Sequence, residues 1–246
     1  MKLYGLIGYP LGHSFSKQYF TEKFDREHIK DCCFELFELS DIGELHLLLK
    51  KEPALKGLAV TIPYKESVLQ YLDIIDKDAA QIGAVNCIGI SSGKLTGYNT
   101  DHIGFEMSLK PLLQKHHTKA LVLGSGGSSK AVQYVLQKLE IEYLVVTRSK
   151  LTAPGMISYE SLNEQVMHEH SLVINCTPVG MFPHEKEKPA IPYRYLHPAH
   201  LLFDLIYKPS TTQFLLKGKE QGATVKNGYE MLVLQAEENW KIWFGV

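Results

Sequence analysis

Apolar and polar positions recur along the chain in two long blocks, and the period of the recurrence changes several times within each. In the first block, "KLYGLIGYP" carries the compact apolar run of a buried strand. "SKQYFTEKFDREHI" spaces its apolar residues three and four apart, which predicts an amphipathic helix, and "CCFELFEL" predicts a strand. "IGELHLLLKKE" predicts a helix, "GLAVTIPY" a strand and "KESVLQYLDII" a helix. Strand and helix in alternation predict a mostly parallel sheet with helical crossovers. "VNCIGISSGKLTGYNTD" breaks that rhythm, and Ser91-Ser92-Gly93-Lys94 between two apolar runs predicts a hairpin turn.

"HIGFEMSLKPLLQKHH" predicts a helix whose basic end suits the negative end of the helix dipole. The alternation then restarts with strand "KALVLGSGG", helix "SSKAVQYVLQKLEI" and strand "EYLVVTRS". Strands "SLVINCTP" and "LLFDLIY", helix "TTQFLLKGKEQG", strand "ATVKNG" and the amphipathic helix "YEMLVLQAEENWKIWF" follow. The fold class is therefore α/β, with two α/β domains hinged near Asp101–Gly104. The charged, proline-rich "FPHEKEKPAIPYR" is expected to be a surface loop.

Composition narrows the partners. The 246 residues hold 26 Lys+Arg against 27 Asp+Glu, so neither nucleic acid nor an anionic membrane is expected as a partner. The opening "MKLYGLIGYP" is too short and too broken by glycine and proline for a signal peptide, and no apolar run reaches membrane-spanning length. A cytoplasmic location is the expectation. Cys32, Cys33, Cys87 and Cys176 suit neither a disulfide framework nor a zinc site and are expected as buried, reduced thiols. The histidines match no metal-ligand spacing; no metal is expected, and the histidines are expected on the surface. Asp73, Asp76 and Asp78 are expected as a solvated helix end rather than a cation site.

"LVLGSGGSSKAV" follows a strand and opens a helix, an arrangement in which glycine backbone and a helix N-terminus can receive a phosphate. Ser129 stands where a third glycine would complete the usual dinucleotide pattern. The next strand ends in Thr147, Arg148, Ser149 and Lys150, with no acid to accept from a ribose 2′-hydroxyl. A guanidinium and hydroxyls there suit a 2′-phosphate, so NADP is the expected cofactor. In the first block, polar residues fall at loop positions: Ser14 and Ser16, Thr61 and Lys65, Asn86, and Asp101. Singly they could cap helices or close turns. Together, beside a nucleotide domain, they fit a site for a small polyhydroxylated acid, because open α/β sheets bind ligands at strand carboxyl ends.

The stretches "GYPLGHSFS", "VTIPYK", "IGAVNC", "GYNTDHIGF", "LGSGGSSKAV", "TRS", "INCTPVGM", "DLIYKP" and "NGYEMLVLQA" lie in the order and spacing of one family, and the chain resembles shikimate dehydrogenases over essentially its whole length. The resemblance implies a substrate domain over 1–101 plus 229–246 and an NADP-binding, Rossmann-like domain over 102–228. It implies reversible NADPH-dependent reduction of 3-dehydroshikimate, a step toward chorismate and the aromatic amino acids. Substrate contacts are implied at Ser14, Ser16, Thr61, Lys65, Asn86, Asp101, Tyr207 and Gln235, with Lys65 and Asp101 as the acid–base pair. Cofactor contacts are implied at Gly124, Ser125, Gly126, Gly127, Ser128, Thr147, Arg148, Ser149, Leu205 and Gly228. Where the family tends to carry Pro, His-Asn and two asparagines, this chain has Lys17, Phe20-Thr21, Ala59 and Thr147. A monomer or homodimer is expected. The alternatives are a quinate/shikimate dehydrogenase that accepts NAD and a non-catalytic sensor of metabolite or nucleotide.

Overall fold

A computed structural model describes residues 1–12, 15–149 and 153–245. The chain divides into two compact units, Met1–Thr100 with Ala236–Val246, and Asp101–Gln235. Among the described residues no helix is long and apolar enough to cross a membrane.

The first unit opens β1 (Lys2–Gly8), α1 (Phe15–Arg26), β2 (Cys32–Glu38), α2 (Leu45–Lys51), β3 (Leu55–Val60) and α3 (Tyr64–Ser67). It continues with β4 (Ile74–Ile75), α4 (Lys77–Ile82) and the hairpin β5 (Cys87–Ser91) and β6 (Lys94–Tyr98). The sheet runs β2-β1-β3-β5-β6-β4. β1 pairs parallel with β2 and β3, while β5 pairs antiparallel with β3 and β6. The hairpin turn sits where expected: Ser92 and Gly93 both take positive φ, as a two-residue turn matched to strand twist requires.

Both faces of this sheet are covered, which is why its strands read as near-continuous apolar runs. Leu3, Ile7, Leu58 and Val60 face a core with Leu45, Leu48, Tyr64 and Val68. Tyr4, Leu6 and Ala59 face the other way, toward Phe20, Phe24 and Phe34, with Trp240 of α9 (Tyr229–Phe244). The Trp243 indole N–H donates to the Ile88 carbonyl at 3.0 Å. Gly57 makes room for it, since a Cβ there would overlap the indole ring.

Two expected elements end differently. The strand "GLAVTIPY" stops at Val60, because Thr61 turns to donate its N–H to Ile7 and to accept that of Tyr64. The helix expected over "KESVLQYLDII" breaks into α3, a 3-10 turn over Val68–Tyr71 and the strand β4. Asp73 draws the chain onto β6 by exchanging hydrogen bonds with Leu95, through its N–H and its carboxylate. Asp76 caps α4 by accepting the Asp78 N–H, so this acidic run has local backbone work.

The second unit holds α5 (Asp101–Leu109), β7 (Lys119–Leu123), α6 (Gly127–Lys138), β8 (Glu142–Thr147), β9 (Met156–Ser158) and α7 (Glu164–Glu169). Then come β10 (Leu172–Asn175), β11 (Leu201–Asp204), α8 (Gln213–Glu220) and β12 (Thr224–Lys226). α5 ends before Pro111, which removes a helical donor, so the basic residues expected in its last turn lie in the following loop. All five pairings in the sheet β12-β11-β10-β7-β8-β9 are parallel. Chain order therefore reverses between β7 and β10, the crossover arrangement that leaves a crevice at the strand carboxyl ends.

Histidines gather at the opposite end of this sheet, and the surface placement expected of them holds only in part. His117, His170 and His200, just ahead of β7, β10 and β11, are buried. His117 Nδ1 accepts the Gln114 N–H at 2.9 Å, and His200 Nδ1 accepts that of His197 at 3.2 Å. Each therefore holds its proton on Nε2, which faces a carbonyl: Ala199 for His117, Met167 for His200. Burial, and for His117, His197 and His200 neighbouring imidazoles, holds His117, His170, His197 and His200 below the usual histidine range. A group with a depressed folded pKa is protonated first in the unfolded chain, so stability is lost as pH falls below about 6.5. The urea midpoint is expected to be lower at pH 6.0 than at pH 7.5, and His200→Asn is expected to flatten that difference. Equal midpoints in the wild type would contradict it.

Candidate active site

In the first unit, four chain ends come to one edge of the sheet. The Thr61 N–H donates to Ile7 at 3.0 Å and the Tyr9 N–H to Ile62 at 3.1 Å, which ties the end of β3 to that of β1. The Val60 N–H donates to Asn86 at 2.8 Å, the Asn86 N–H to Tyr98 at 3.0 Å, and the Val85 N–H to the Lys65 carbonyl at 2.7 Å. Thr61, Lys65 and Asn86 are thus held by one continuous set of backbone bonds. Lys65 is half-buried in the first turn of α3, and Asn86 is buried at the head of β5. Ser16 is half-buried in the first turn of α1; Ser14 lies outside the described residues.

A buried amide needs partners, and Asn86 has them. Its Oδ1 accepts the Thr100 N–H at 2.6 Å and its Nδ2 donates to Thr100 Oγ1 at 2.9 Å. Asn99 fixes the same segment by donating to the Ala84 carbonyl at 2.9 Å.

In the second unit, Asp101 is the buried first residue of α5. Gly104, one turn on, lets that helix meet α9: a Cβ there would lie 2.5 Å from the Met231 carbonyl and 3.1 Å from the Gln235 nitrogen. The helices bearing Asp101 and Gln235 are consequently in backbone contact. Tyr207 is half-buried in the loop after β11.

The glycine loop sits at the carboxyl end of β7. Gly124 takes φ +100°, and its N–H donates to Val146 at 2.9 Å. A Cβ on it would lie 3.0 Å from Thr177 Cγ2, so the residue is held to glycine by both conformation and space. Gly126 precedes α6 with no side-chain cap, and nothing lies within 4 Å of a Cβ built on it. Ser125 and Gly126 are exposed, and Gly127 and Ser128 open the helix. Such a helix start presents N–H donors and positive dipole to an anion. Ser129, at the place of the third glycine, is buried and closes the turn itself, its Oγ donating to the Gly124 carbonyl at 2.6 Å. Thr147 ends β8, and Arg148 and Ser149 follow it on the surface.

The remaining cofactor candidates join this loop through β10 and β11. The Leu205 N–H donates to Asn175 at 3.0 Å, and the Gly228 N–H donates to Ile206 at 3.0 Å. A Cβ on Gly228 would lie within van der Waals overlap of the Leu205 carbonyl, which makes glycine obligatory there.

Three residues given no role at the sequence level hold this edge together. Asp204 is fully buried at the end of β11. Its carboxylate accepts from Thr212 Oγ1 at 2.6 Å, the Ile206 N–H at 3.0 Å and Asn175 Nδ2 at 3.0 Å. Asn175 Oδ1 in turn accepts from Thr177, at its N–H and its hydroxyl. Asn175, Asp204 and Thr212 all sit in or beside the motifs "INCTPVGM" and "DLIYKP", yet nothing in their spacing marks them as partners.

Burial pushes the Asp204 carboxyl up to about 6, against the pull of its three donors. An acid whose folded pKa is raised favours the folded state below its unfolded pKa, and loses that advantage as pH rises to the folded value. The rise from 3.8 to about 6 corresponds to about 3 kcal/mol. Asp204→Asn, which cannot ionise, is expected to gain on the wild type in stability between pH 4 and pH 7. Parallel stability curves in urea unfolding across that range would refute the assignment.

A family model described as the shikimate dehydrogenase substrate binding domain matches residues 6–88. The chain is 34% identical to a shikimate dehydrogenase (NADP(+)) of Methanococcus maripaludis, covering 100% of this chain and 92% of that one. Its structure is similar to that of shikimate 5-dehydrogenase of Thermus thermophilus in complex with NADP(H) and shikimate, with TM-score 0.88 and 29% identity over 100% of this chain and 94% of that chain. It is also similar to quinate dehydrogenase of Corynebacterium glutamicum in complex with NAD, with TM-score 0.87 and 25% identity over 100% of this chain and 94% of that chain.

Proposed function

The chain belongs to the shikimate dehydrogenase family, and from that premise we propose that it catalyses the reversible NADPH-dependent reduction of 3-dehydroshikimate to shikimate. One pairing of features carries the reading. The second unit has a glycine loop at its crossover point, followed by Arg148 with no acid at the ribose end; the first gathers Thr61, Lys65 and Asn86 on one sheet edge. The glycine loop and Arg148 support NADP, and the polar sheet edge supports a small polar acid as substrate. The substrate domain is assigned to 1–101 plus 229–246 and the NADP domain to 102–228. The protein acts as a cytoplasmic monomer or homodimer.

NADP, when bound, supplies or accepts the hydride at the substrate carbon. Gly124, Ser125, Gly126, Gly127 and Ser128 would hold its pyrophosphate through backbone donors, and Thr147, Arg148 and Ser149 the 2′-phosphate. Leu205 and Gly228 would line the remainder. Ser14, Ser16, Thr61, Asn86, Tyr207 and Gln235 would orient the substrate through its hydroxyls and carboxylate. Lys65 Nζ gives the proton to the carbonyl oxygen during reduction and takes it back during oxidation, with Asp101 as its acid–base partner. General acid–base catalysis of this kind contributes about 10²–10⁴ in rate.

Spectrophotometric assay of shikimate oxidation with NADP+ against NAD+, with quinate as rival substrate, tests the assignment. Turnover of shikimate with NADP+ is expected. A preference for quinate and NAD+ would point to a quinate/shikimate dehydrogenase, and no turnover with either pair would favour a non-catalytic sensor. Lys65→Ala is expected to lower kcat by about 10²–10⁴ with a smaller change in KM. Arg148→Ala is expected to raise KM for NADP+ about tenfold or more and to leave that for NAD+ unchanged, the loss of a charge-assisted phosphate contact. Unchanged constants in either variant would remove that residue's role.

A further inference from the structure

Asn239 lies on α9 with 1% of its surface exposed, on a helix that otherwise presents Ala236, Trp240 and Trp243 to an aromatic core. An amide in that setting requires a bonded partner. Asn239 Oδ1 lies 2.6 Å from Thr100 Oγ1, and Thr100 is itself 1% exposed. The same hydroxyl accepts from Asn86 Nδ2 at 2.9 Å and lies 3.2 Å from Asn86 Oδ1.

A threonine hydroxyl has one proton to give. Asn86 Oδ1 already receives the Thr100 N–H at 2.6 Å, so the hydroxyl proton goes to Asn239 Oδ1, the shorter contact. A lone pair of Thr100 Oγ1 then faces Asn86 Nδ2. The donors run one way, from Asn86 Nδ2 to Thr100 Oγ1 to Asn239 Oδ1. Both ends of the Asn86 amide are thereby held.

We propose that Asn239 is a positioning residue for substrate binding: by taking the Thr100 proton, it fixes the orientation of the Asn86 amide. The inference rests on Asn86 being a shikimate contact, as proposed above. Without Asn239, the Thr100 proton turns to Asn86 Oδ1, and the lone pair that Oγ1 directs at Asn86 Nδ2 is no longer fixed. An aspartate at 239 keeps the acceptor oxygen, whereas an alanine does not.

The test is steady-state kinetics of the full-length enzyme, with shikimate varied at saturating NADP+. Asn239→Ala is expected to raise KM for shikimate about three- to tenfold, the loss of one neutral hydrogen bond. kcat is expected to stay within about twofold, KM for NADP+ to stay unchanged, and Asn239→Asp to restore KM for shikimate. In an Asn86→Ala background, Asn239→Ala is expected to add nothing. An unchanged KM, equal losses in the Ala and Asp variants, or additive losses in the double variant would each overturn the proposal. Asn239→Ser carries the same expectation should the alanine variant not fold. Should the wild type not turn over shikimate at all, the function proposed above fails, and the relay is decided by NMR. Hydrogen exchange of the Asn86 side-chain amide is expected to quicken severalfold in Asn239→Ala and to recover in Asn239→Asp; equal rates in the three proteins would overturn it.

Discussion

Burial of both faces of each sheet is the constraint from which the rest of the molecule follows. Helices cover β1 and β3 on one side with Leu45, Leu48 and Val68, and on the other with Phe20, Phe24 and Trp240. β7, β10 and β11 lie between Phe105 with Val132 on one face and Met167 with Phe214 on the other. A strand enclosed in this way has no polar positions to spare, so chemistry is confined to its ends. That is why Thr61 and the glycine loop follow strands, Asn86 precedes one, and Lys65 stands in the short helix after β3.

Strand ends carry unpaired backbone groups, and each unit satisfies them with a small buried polar network. In the first, Thr100 links Asn86 on a loop to Asn239 on the last helix. In the second, Asp204 gathers Thr212, Asn175 and the Ile206 N–H around one carboxylate. Both networks are low in solvent, where a satisfied hydrogen bond specifies geometry and an unsatisfied one is costly. They hold the loops that bear the proposed ligand contacts, Asn86 among them. His117 and His200, ahead of β7 and β11, do comparable work at the far end of the second sheet, each neutral ring bridging a backbone donor and a carbonyl.

Much of the fold was legible because period and turn chemistry are local. The hairpin at Ser92-Gly93 and the glycine turn at Gly124 could be placed from residue type, since each offers a glycine to take positive φ. The departures have long-range causes. Pro63 signals locally that the strand ends nearby; that β3 stops as early as Val60 depends on a partner in β1, since the Thr61 N–H donates to Ile7. β4 exists because Asp73 meets Leu95 across the sheet. Histidines expected on the surface are buried because segments far apart in the chain bring His117 to Ala199 and His200 to Met167.

The order of residues was sufficient for two α/β blocks, a glycine loop at a strand–helix junction without an acid after it, and a set of polar loop positions, since each depends on spacing within a few residues. Which way β5 runs, how chain order reverses between β7 and β10, and that Ser129 closes the glycine turn on Gly124 were settled by tertiary structure. Asn239 is the sharpest case. In the sequence it is one polar letter in an amphipathic helix, and only folding brings it to Thr100, because a hydrogen bond between residues 139 apart has no local signature.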